Sequence, residues 1–249
     1  MIEFKAVSKR FGKKQVLDQV DFRLGDAEIV FVIGKSGMGK SVLLKHIVGL
    51  LQPDSGEIWV DDREVSHLGE AQLLEVRRRC GMVFQYPALL DSLSVFENIV
   101  FGLRVQRPEL TESELQAIAR EKLGLVGLNS SLLSRFPLEL SSSTQKRVSI
   151  ARTLAVGPKY LLFDEPTTGL DPVSTNTVND LIFRLSRQLQ VSSLVVSHDM
   201  HCALAIADRI LLLDGAKIVV QGPPQELIYS QNTLAQDFLK EAKEKMHGI

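Results

Sequence analysis

A phosphate-binding P-loop is indicated by one segment that joins three glycines to a terminal Lys-Ser pair: Gly34-Lys35-Ser36-Gly37-Met38-Gly39-Lys40-Ser41. Glycines let the backbone curl so that several N–H groups face phosphate oxygens, and the helix that follows directs its positive end to the same place. Lys40 supplies charge for the β- and γ-phosphates, and the Ser41 hydroxyl is a ligand for Mg²⁺. The segment therefore predicts a nucleoside triphosphate site with all eight residues around the nucleotide and its metal ion.

Two carboxylates follow a second apolar segment, Tyr160-Leu161-Leu162-Phe163. Open α/β sheets bind their ligands at the carboxyl ends of strands, so this pair is expected beside the P-loop. Asp164 is placed to hold Mg²⁺ through water. Glu165, one step further out, is placed to polarise an attacking water as a general base, which predicts hydrolysis of the bound triphosphate.

Gln85 and His198 each close a further strand-like segment. The neutral amide of Gln85 would reach the metal ion or the attacking water without adding charge. His198 would donate a hydrogen bond to the γ-phosphate or sense its presence. Each residue alone is equally compatible with an exposed strand end or a structural histidine, so both roles depend on the P-loop being real.

The elements that position these residues follow from apolar patterning. Continuous apolar runs predict strands buried on both faces at 29–33, 160–163 and 194–196. A shorter strand, 82–84, is predicted to end at Gln85. Alternation near the N-terminus predicts half-exposed antiparallel strands, and Asp214-Gly215 predicts a hairpin. Helices are predicted at 40–50, 71–79, 144–156 and 171–189.

The β signal is lost between residues 86 and 140, where two capping-box spacings mark helix starts. This predicts an α-helical subdomain inserted in an α/β core that also carries an N-terminal antiparallel β subdomain. A charged helix with one apolar side is predicted at 233–245. We therefore expect one domain at residues 1–225 and a C-terminal helical extension at 226–249.

Composition narrows the class of protein. The 249 residues carry 29 Lys+Arg against 30 Asp+Glu and are 45% apolar, which excludes a disordered chain and gives no overall field to attract nucleic acid. The longest apolar run, 202–207, is far shorter than the roughly 20 residues of a membrane span, and the first residues lack a signal-peptide core, so neither segment is expected. Cys80 and Cys202 are expected to be reduced thiols, since their spacing fits no disulfide framework and no metal site.

These motifs, in this order, resemble the nucleotide-binding subunit of ABC transporters over residues 1 to about 225. The resemblance implies a RecA-like ABC ATPase fold, ATP and Mg²⁺ as cofactors, and a Q-loop at Gln85 that joins Ser41 and Asp164 near the metal ion. It also implies a signature-like segment at 140–145 and a D-loop at 168–171, which brings Asp171 to the nucleotide. Phe11 matches the aromatic residue that stacks on adenine in this family, with core packing as the alternative.

The family works as a dimer with two ATP molecules at the interface, where each P-loop is completed by the signature segment of the other subunit. The resemblance therefore implies a homodimer and an integral-membrane permease, which is received near Gln85 and residues 96–104. It further implies a peripheral position on the cytoplasmic face of the inner membrane. No nucleic-acid partner is expected.

The signature departs from the Leu-Ser-Gly-Gly-Gln of the family, because serines replace both glycines and Thr144 replaces the glutamine. A glycine lets a backbone N–H at a helix start come very close to the γ-phosphate, and a Cβ there can crowd the phosphate or restrict φ. Ser141, Ser142 and Ser143 are expected to contact ATP. Two outcomes stay open: hydrolysis that is merely slower, which we favour, or a site that binds ATP and barely turns over.

The segment from Val83 to Ile99 is similar to the ATPase of lipid-asymmetry (Mla-type) transporters, which move phospholipid between the membranes of a bacterial envelope. This implies phospholipid transport, with a lipid-binding substrate protein and an accessory subunit as further partners. The alternatives are an amino-acid importer ATPase and a regulatory subunit with weak hydrolysis. Soluble ABC ATPases of DNA repair are disfavoured, because the interval between Lys40 and Leu140 leaves no room for their coiled coil.

Overall fold

The computed structural model describes residues 1–247, apart from the side chains of Glu241 and residues 243–247. Residues 248 and 249, the end of the predicted extension, lie outside the described part. The elements follow in the order β1 (Ile2–Phe11), β2 (Lys14–Leu24), β3 (Ile29–Ile33), α1 (Lys40–Ile47), β4 (Ser55–Val60), β5 (Arg63–Glu64), α2 (Glu70–Arg79), β6 (Cys80–Val83), α3 (Val95–Gln106), α4 (Glu112–Leu125), α5 (Ser142–Ala155), β7 (Tyr160–Asp164), α6 (Pro172–Leu189), β8 (Ser192–Ser197), α7 (Met200–Ile206), β9 (Arg209–Asp214), β10 (Lys217–Gly222), α8 (Pro224–Ile228) and α9 (Thr233–His247). Two short 3₁₀ helices, Ser130–Ser134 and Pro137–Glu139, lie between α4 and α5.

The strands form two sheets. The N-terminal sheet has the order β2-β1-β4-β5 and is antiparallel. The larger sheet has the order β10-β9-β3-β8-β7-β6 and is parallel except for the β9–β10 hairpin. The predicted α/β class, with an antiparallel N-terminal subdomain beside a parallel core, is confirmed.

The central strand β3 shows why the larger sheet is buried on both faces. Ile29, Phe31 and Ile33 join the core on the face covered by α3 to α7, while Val30 and Val32 join the core shared with the N-terminal sheet and α1. Successive side chains of a strand point to opposite faces, so a continuous apolar run is what such a position requires. The buried strand brings the chain directly to the P-loop.

The described chain between β6 and β7 contains helices and no strand. Capping boxes begin two of them: the Ser94 side chain accepts from the Glu97 amide before α3, and the Thr111 side chain accepts from the Glu114 amide before α4. Helices α3 and α4 pack on α5 and on one another. The segment predicted at 86–140 therefore forms a helical layer against α5.

Element boundaries differ from the sequence prediction at functionally relevant places. β6 ends at Val83, opposite Phe163 of β7, so Gln85 lies two residues beyond the strand instead of closing it. α5 begins at Ser142, two residues early, because Ser141 caps it by accepting the Thr144 amide at 3.3 Å. Helix α7 was not predicted, although it contains most of the apolar run 202–207.

The C-terminal helices pack on the same chain. Leu227 of α8 and Phe238 and Leu239 of α9 are buried in the core that also contains Ile29, and α9 contacts α7. The division into a domain ending at 225 and a separate extension stays a prediction. In the part of the chain that the structure describes, no helix combines the length and the apolarity that a membrane crossing requires.

Candidate nucleotide-binding site

The P-loop connects the end of β3 to the start of α1 through two glycines with positive φ. Gly37 has φ 76° and Gly39 has φ 94°. A Cβ at Gly39 would lie 2.8 Å from the carbonyl oxygen of Val16, so both backbone conformation and space require glycine there. The loop is thus held against β2, with the amino end of α1 directed into it.

Lys40 is the first residue of α1, and its side chain folds back over the loop. Its Nζ atom donates to the carbonyl oxygens of Gly34 at 2.7 Å and Lys35 at 3.2 Å. It also forms an ion pair with Glu165 at 3.1 Å, and only 5% of Lys40 is exposed. A buried ammonium needs oxygen acceptors such as these carbonyls and the carboxylate. Phosphate oxygens are acceptors of the same chemical kind, so Lys40 is placed to bind them.

Ser41 is joined to the end of β7. Its hydroxyl donates to Asp164 Oδ1 at 2.6 Å. β3 and β7 both pair with β8, so the carboxyl ends of these strands meet at one edge of the sheet. A hydroxyl and a carboxylate are hard oxygen donors of the kind that Mg²⁺ uses, so the residues present fit that ion.

Glu165 is the centre of the site. Its backbone has φ 46°, a left-handed conformation that is unusual for a residue with a side chain, and its N–H donates to Val196 of β8 at 2.9 Å. The Oε2 atom lies 2.8 Å from His198 Nδ1 and 3.4 Å from the Thr168 hydroxyl. The backbone turn at Glu165 directs its carboxylate toward both Lys40 and His198.

Most of these residues line one cavity of about 680 Å³. The predicted site residues in its wall are Phe11, Lys35, Ser36, Gly37, Gly39, Lys40, Ser41, Gln85, Glu165 and His198. Phe11 is 46% exposed at the end of β1, which is not the position of a core residue. Lys9 lies with its Nζ 5.7 Å from the centre of the Phe11 ring.

Sequence reasoning missed five other residues that line the cavity: Lys14, Val16, Val42, Thr168 and Phe238. Lys14, Val16 and Val42 lie close in sequence to Phe11 or Ser41, which could have pointed to them. Thr168 lies in the predicted D-loop. Phe238 belongs to α9, and no local pattern signals that this helix approaches the P-loop.

Several predicted site residues do not line this cavity. Gly34 and Met38 belong to the P-loop but are not in the cavity wall. Asp164 is connected to the wall by the hydrogen bond from Ser41. Ser141, Ser142, Ser143 and Asp171 lie outside its wall. Asp171 caps α6, where its Oδ1 accepts from the Ser174 amide at 2.9 Å, and the hydrogen bonds from Ser174 lower its pKa.

The serine-rich signature creates no backbone strain within the chain. Ser142 and Ser143 form the first turn of α5, and neither is among the described residues with positive φ. A serine adopts helical backbone as readily as this position requires, so the expected restriction of φ does not arise. Any cost of the missing glycines must come from the Cβ atoms meeting a ligand.

A P-loop between a buried strand and a helix, with Asp164 and Glu165 at the next strand end, defines a P-loop nucleotide-binding protein. The family model for "ABC transporter" matches residues 17–168. The chain belongs to the ABC transporter family, binds ATP and is an ATPase.

Relatives and solved structures agree with this assignment. The intermembrane phospholipid transport system ATP-binding protein MlaF of Haemophilus influenzae is 37% identical over 240 residues, which are 96% of this chain and 90% of that protein. The methionine import ATP-binding protein MetN of Mesorhizobium japonicum is 40% identical over 218 residues, 87% of this chain but only 59% of that protein. The dimeric post-hydrolysis structure of the ATP-binding cassette MJ0796 with ADP and Pi has a TM-score of 0.82 at 30% identity, and covers 90% of this chain and 99% of that chain. The similarity to MlaF confirms the predicted Mla-type resemblance.

Proposed function

We propose that this chain hydrolyses ATP to drive a membrane permease that transports phospholipid across a bacterial envelope, acting from the cytoplasmic face of the inner membrane. The observation that best supports ATP hydrolysis is that Phe11, Lys40, Glu165 and His198 line the same cavity. The similarity to MlaF over 96% of this chain supports the lipid part. A lipid-binding substrate protein and an accessory subunit belong to the same proposal.

In the proposed reaction, the loop amides and Lys40 bind the triphosphate, and Phe11 stacks on adenine. Phosphate oxygens compete with Glu165 for the Lys40 ammonium, which releases the carboxylate to take a proton from the attacking water. Ser41, Asp164 and Gln85 would hold Mg²⁺, which neutralises charge that develops on the β- and γ-phosphates. His198 then orients Glu165 through their contact or, after leaving that carboxylate, donates to the phosphate.

The working unit in this proposal is a homodimer. Ser141, Ser142 and Ser143 lie outside the wall of the P-loop cavity of their own chain, and Ser141 and Ser142 are exposed at the start of α5. The amino end of a helix suits an anion, so this end of α5 would contact the γ-phosphate bound to the other subunit. Asp171, at the start of α6, would lie in the same interface.

The test is reconstitution with the permease that copurifies with the full chain. In proteoliposomes, we expect ATP to drive transfer of a fluorescent phospholipid to acceptor vesicles, and Lys40→Ala to abolish both transfer and phosphate release. Phosphate release without ATP-dependent lipid transfer would contradict the lipid assignment and leave the ATPase assignment standing. Absence of phosphate release would contradict both.

A methionine importer ATPase is the second candidate, because MetN of Mesorhizobium japonicum is 40% identical over 87% of this chain. The same proteoliposomes separate the two. Phosphate release stimulated by methionine and its binding protein, but not by phospholipid, would favour the importer.

A further inference from the structure

Helix α5 holds the segment that follows β6 through two basic side chains. Lys146 Nζ donates to the carbonyl oxygens of Phe84 at 2.9 Å and Gln85 at 2.5 Å. Nearly two turns later, Arg152 donates to the next part of the segment, at 2.7 Å to Ala88 and 3.1 Å to Pro87. The main chain on both sides of residue 86 is therefore fastened to the helix that begins at the signature.

Making this connection through Lys146 costs free energy, because a charged side chain must be buried. Only 2% of the residue is exposed, and among the described residues no carboxylate forms an ion pair or hydrogen bond with its Nζ atom. Desolvation lowers the pKa of Lys146 to about 8, against the opposing charge of Asp164. A buried ammonium without a close counter-ion costs stability unless hydrogen bonds compensate, and two of its three donors go to the carbonyl oxygens of Phe84 and Gln85.

An apolar side chain would fill the same space at lower cost. A methionine has a similar length and no charge to desolvate, so a role limited to packing predicts that Lys146→Met keeps or raises stability and leaves catalysis unchanged. The lysine does something that packing alone does not require. It holds the backbone at Gln85, a residue that lines the P-loop cavity.

We propose that Lys146 is a positioning residue for ATP hydrolysis: its ammonium sets the main chain of Gln85 so that the amide faces the P-loop cavity. Lys146 thereby makes the start of α5 and the Q-loop move as one body. The start of α5 meets the nucleotide of the other subunit, and the Q-loop meets the nucleotide of its own subunit. The inference rests on the proposed role of Gln85 at the metal ion and the attacking water.

Five full-length variants test this: Lys146→Met, Lys146→Arg, Gln85→Ala, the double variant Lys146→Met/Gln85→Ala, and Lys122→Met as a matched control. Lys122 lies on α4, which also packs on α5, and its Nζ atom bonds only to the neighbouring Glu121 among the described residues. For each variant we would measure kcat and KM for ATP by steady-state phosphate release, together with the thermal midpoint.

Lys146→Met is expected to lower kcat about tenfold, because small displacements of a catalytic group are costly, with KM within about threefold. The thermal midpoint separates this loss of rate from unfolding, because the change also leaves the carbonyl oxygens of Phe84 and Gln85 without this donor. Lys146→Arg, which keeps a cation and its donors, should retain kcat within about threefold. The double variant should be no slower than Gln85→Ala alone, because both changes remove the same function. Lys122→Met should behave like the unmodified chain.

Normal kcat in Lys146→Met would overturn the inference while Gln85→Ala still loses activity. Multiplied losses in the double variant would overturn it too, since Lys146 would then act apart from Gln85. Normal kcat in Gln85→Ala would overturn the proposed role of Gln85 itself. If Lys146→Met does not fold, Lys146→Gln replaces it, because glutamine keeps a donor and removes the charge.

Discussion

His198 Nδ1 lies 2.8 Å from Glu165 Oε2 at the carboxyl edge of the larger sheet. An ionised carboxylate only accepts hydrogen bonds, so the Nδ1 atom must carry a proton in this contact. A neutral imidazole then has its free lone pair on Nε2 and cannot donate to a γ-phosphate from this position. The donation expected from the sequence therefore requires either the imidazolium or a ring that has left Glu165.

Glu165→Gln should greatly slow turnover while ATP binding survives. Glutamine keeps the size of the side chain but cannot accept a proton from water at neutral pH, and general-base groups contribute about 10²- to 10⁴-fold to rates. We expect kcat to fall within that range. Phosphate release measures kcat, and equilibrium binding of a fluorescent ATP analogue measures affinity.

Thr168→Val is the matched control for this substitution. The Thr168 hydroxyl lies 3.4 Å from the same Oε2 atom, at the long limit of a hydrogen bond. Its loss should change kcat by less than about threefold, under 1 kcal/mol of barrier. A variant with Gln at 165 that keeps more than about a tenth of the rate would remove Glu165 from the role of general base.

Phe11→Ala should raise KM for ATP with little change in kcat. Phe11 is half exposed and lines the P-loop cavity, with Lys9 near its ring. Stacking of a base on an aromatic ring is worth about 1–3 kcal/mol, so KM should rise about 5- to 150-fold. Phe11→Tyr, which preserves the ring, should restore KM, and an unchanged KM in both variants would exclude adenine stacking.

The P-loop and its two flanking elements were predictable because their physics is local. Three glycines, Lys40 and an apolar strand lie within a dozen residues, and together they indicate phosphate binding. The position of Asp164 followed from the rule that ligands bind at carboxyl ends of parallel strands. That rule holds here because β3 and β7 flank β8 in the sheet.

The rest of the site depends on contacts between distant segments. Lys146 is an ordinary cation in a helix by its sequence, and only the approach of residues 84–85 makes it a buried anchor. Amphipathic spacing marked the apolar side of α9 but not its partner α7, so Phe238 in the cavity wall could not be predicted. Helix α5 begins two residues before its predicted start, because the Ser141 side chain caps the helix.

Asp61→Asn should weaken the connection between the two sheets. Asp61 follows β4, and its carboxylate accepts from Lys159 at 2.6 Å, from Arg79 at 2.9 Å and from the Tyr160 hydroxyl. Burial would raise its pKa, but these hydrogen bonds outweigh burial and hold the pKa well below its usual range. We expect the free energy of unfolding at pH 7 to fall by about 2 kcal/mol, measured by urea denaturation.

The lowered pKa of Asp61 determines how the loss of stability in Asp61→Asn varies with pH. A carboxyl whose pKa is lower in the folded chain stabilises fully above its unfolded pKa near 3.8 and loses that contribution as the pH falls toward the folded value. The difference between Asp61→Asn and the unmodified chain should therefore be constant from pH 7 to about pH 5 and shrink below about pH 4. Asp62→Asn is the matched control, because its exposed side chain lies next in sequence, and a difference of the same size there would contradict the role of Asp61.

Restoring the signature glycines should accelerate hydrolysis. Ser142 and Ser143 already adopt the helical backbone of α5, so Ser142→Gly/Ser143→Gly gains nothing from φ and even lowers the helix propensity of this chain. Any gain in rate must therefore come from room for the γ-phosphate bound to the other subunit. We expect kcat to rise more than about twofold, while the thermal midpoint falls slightly. Ser130→Gly/Ser131→Gly, in the 3₁₀ helix Ser130–Ser134, controls for added flexibility. A change in kcat below twofold, about 0.4 kcal/mol of barrier, would show that the serines do not slow this ATPase.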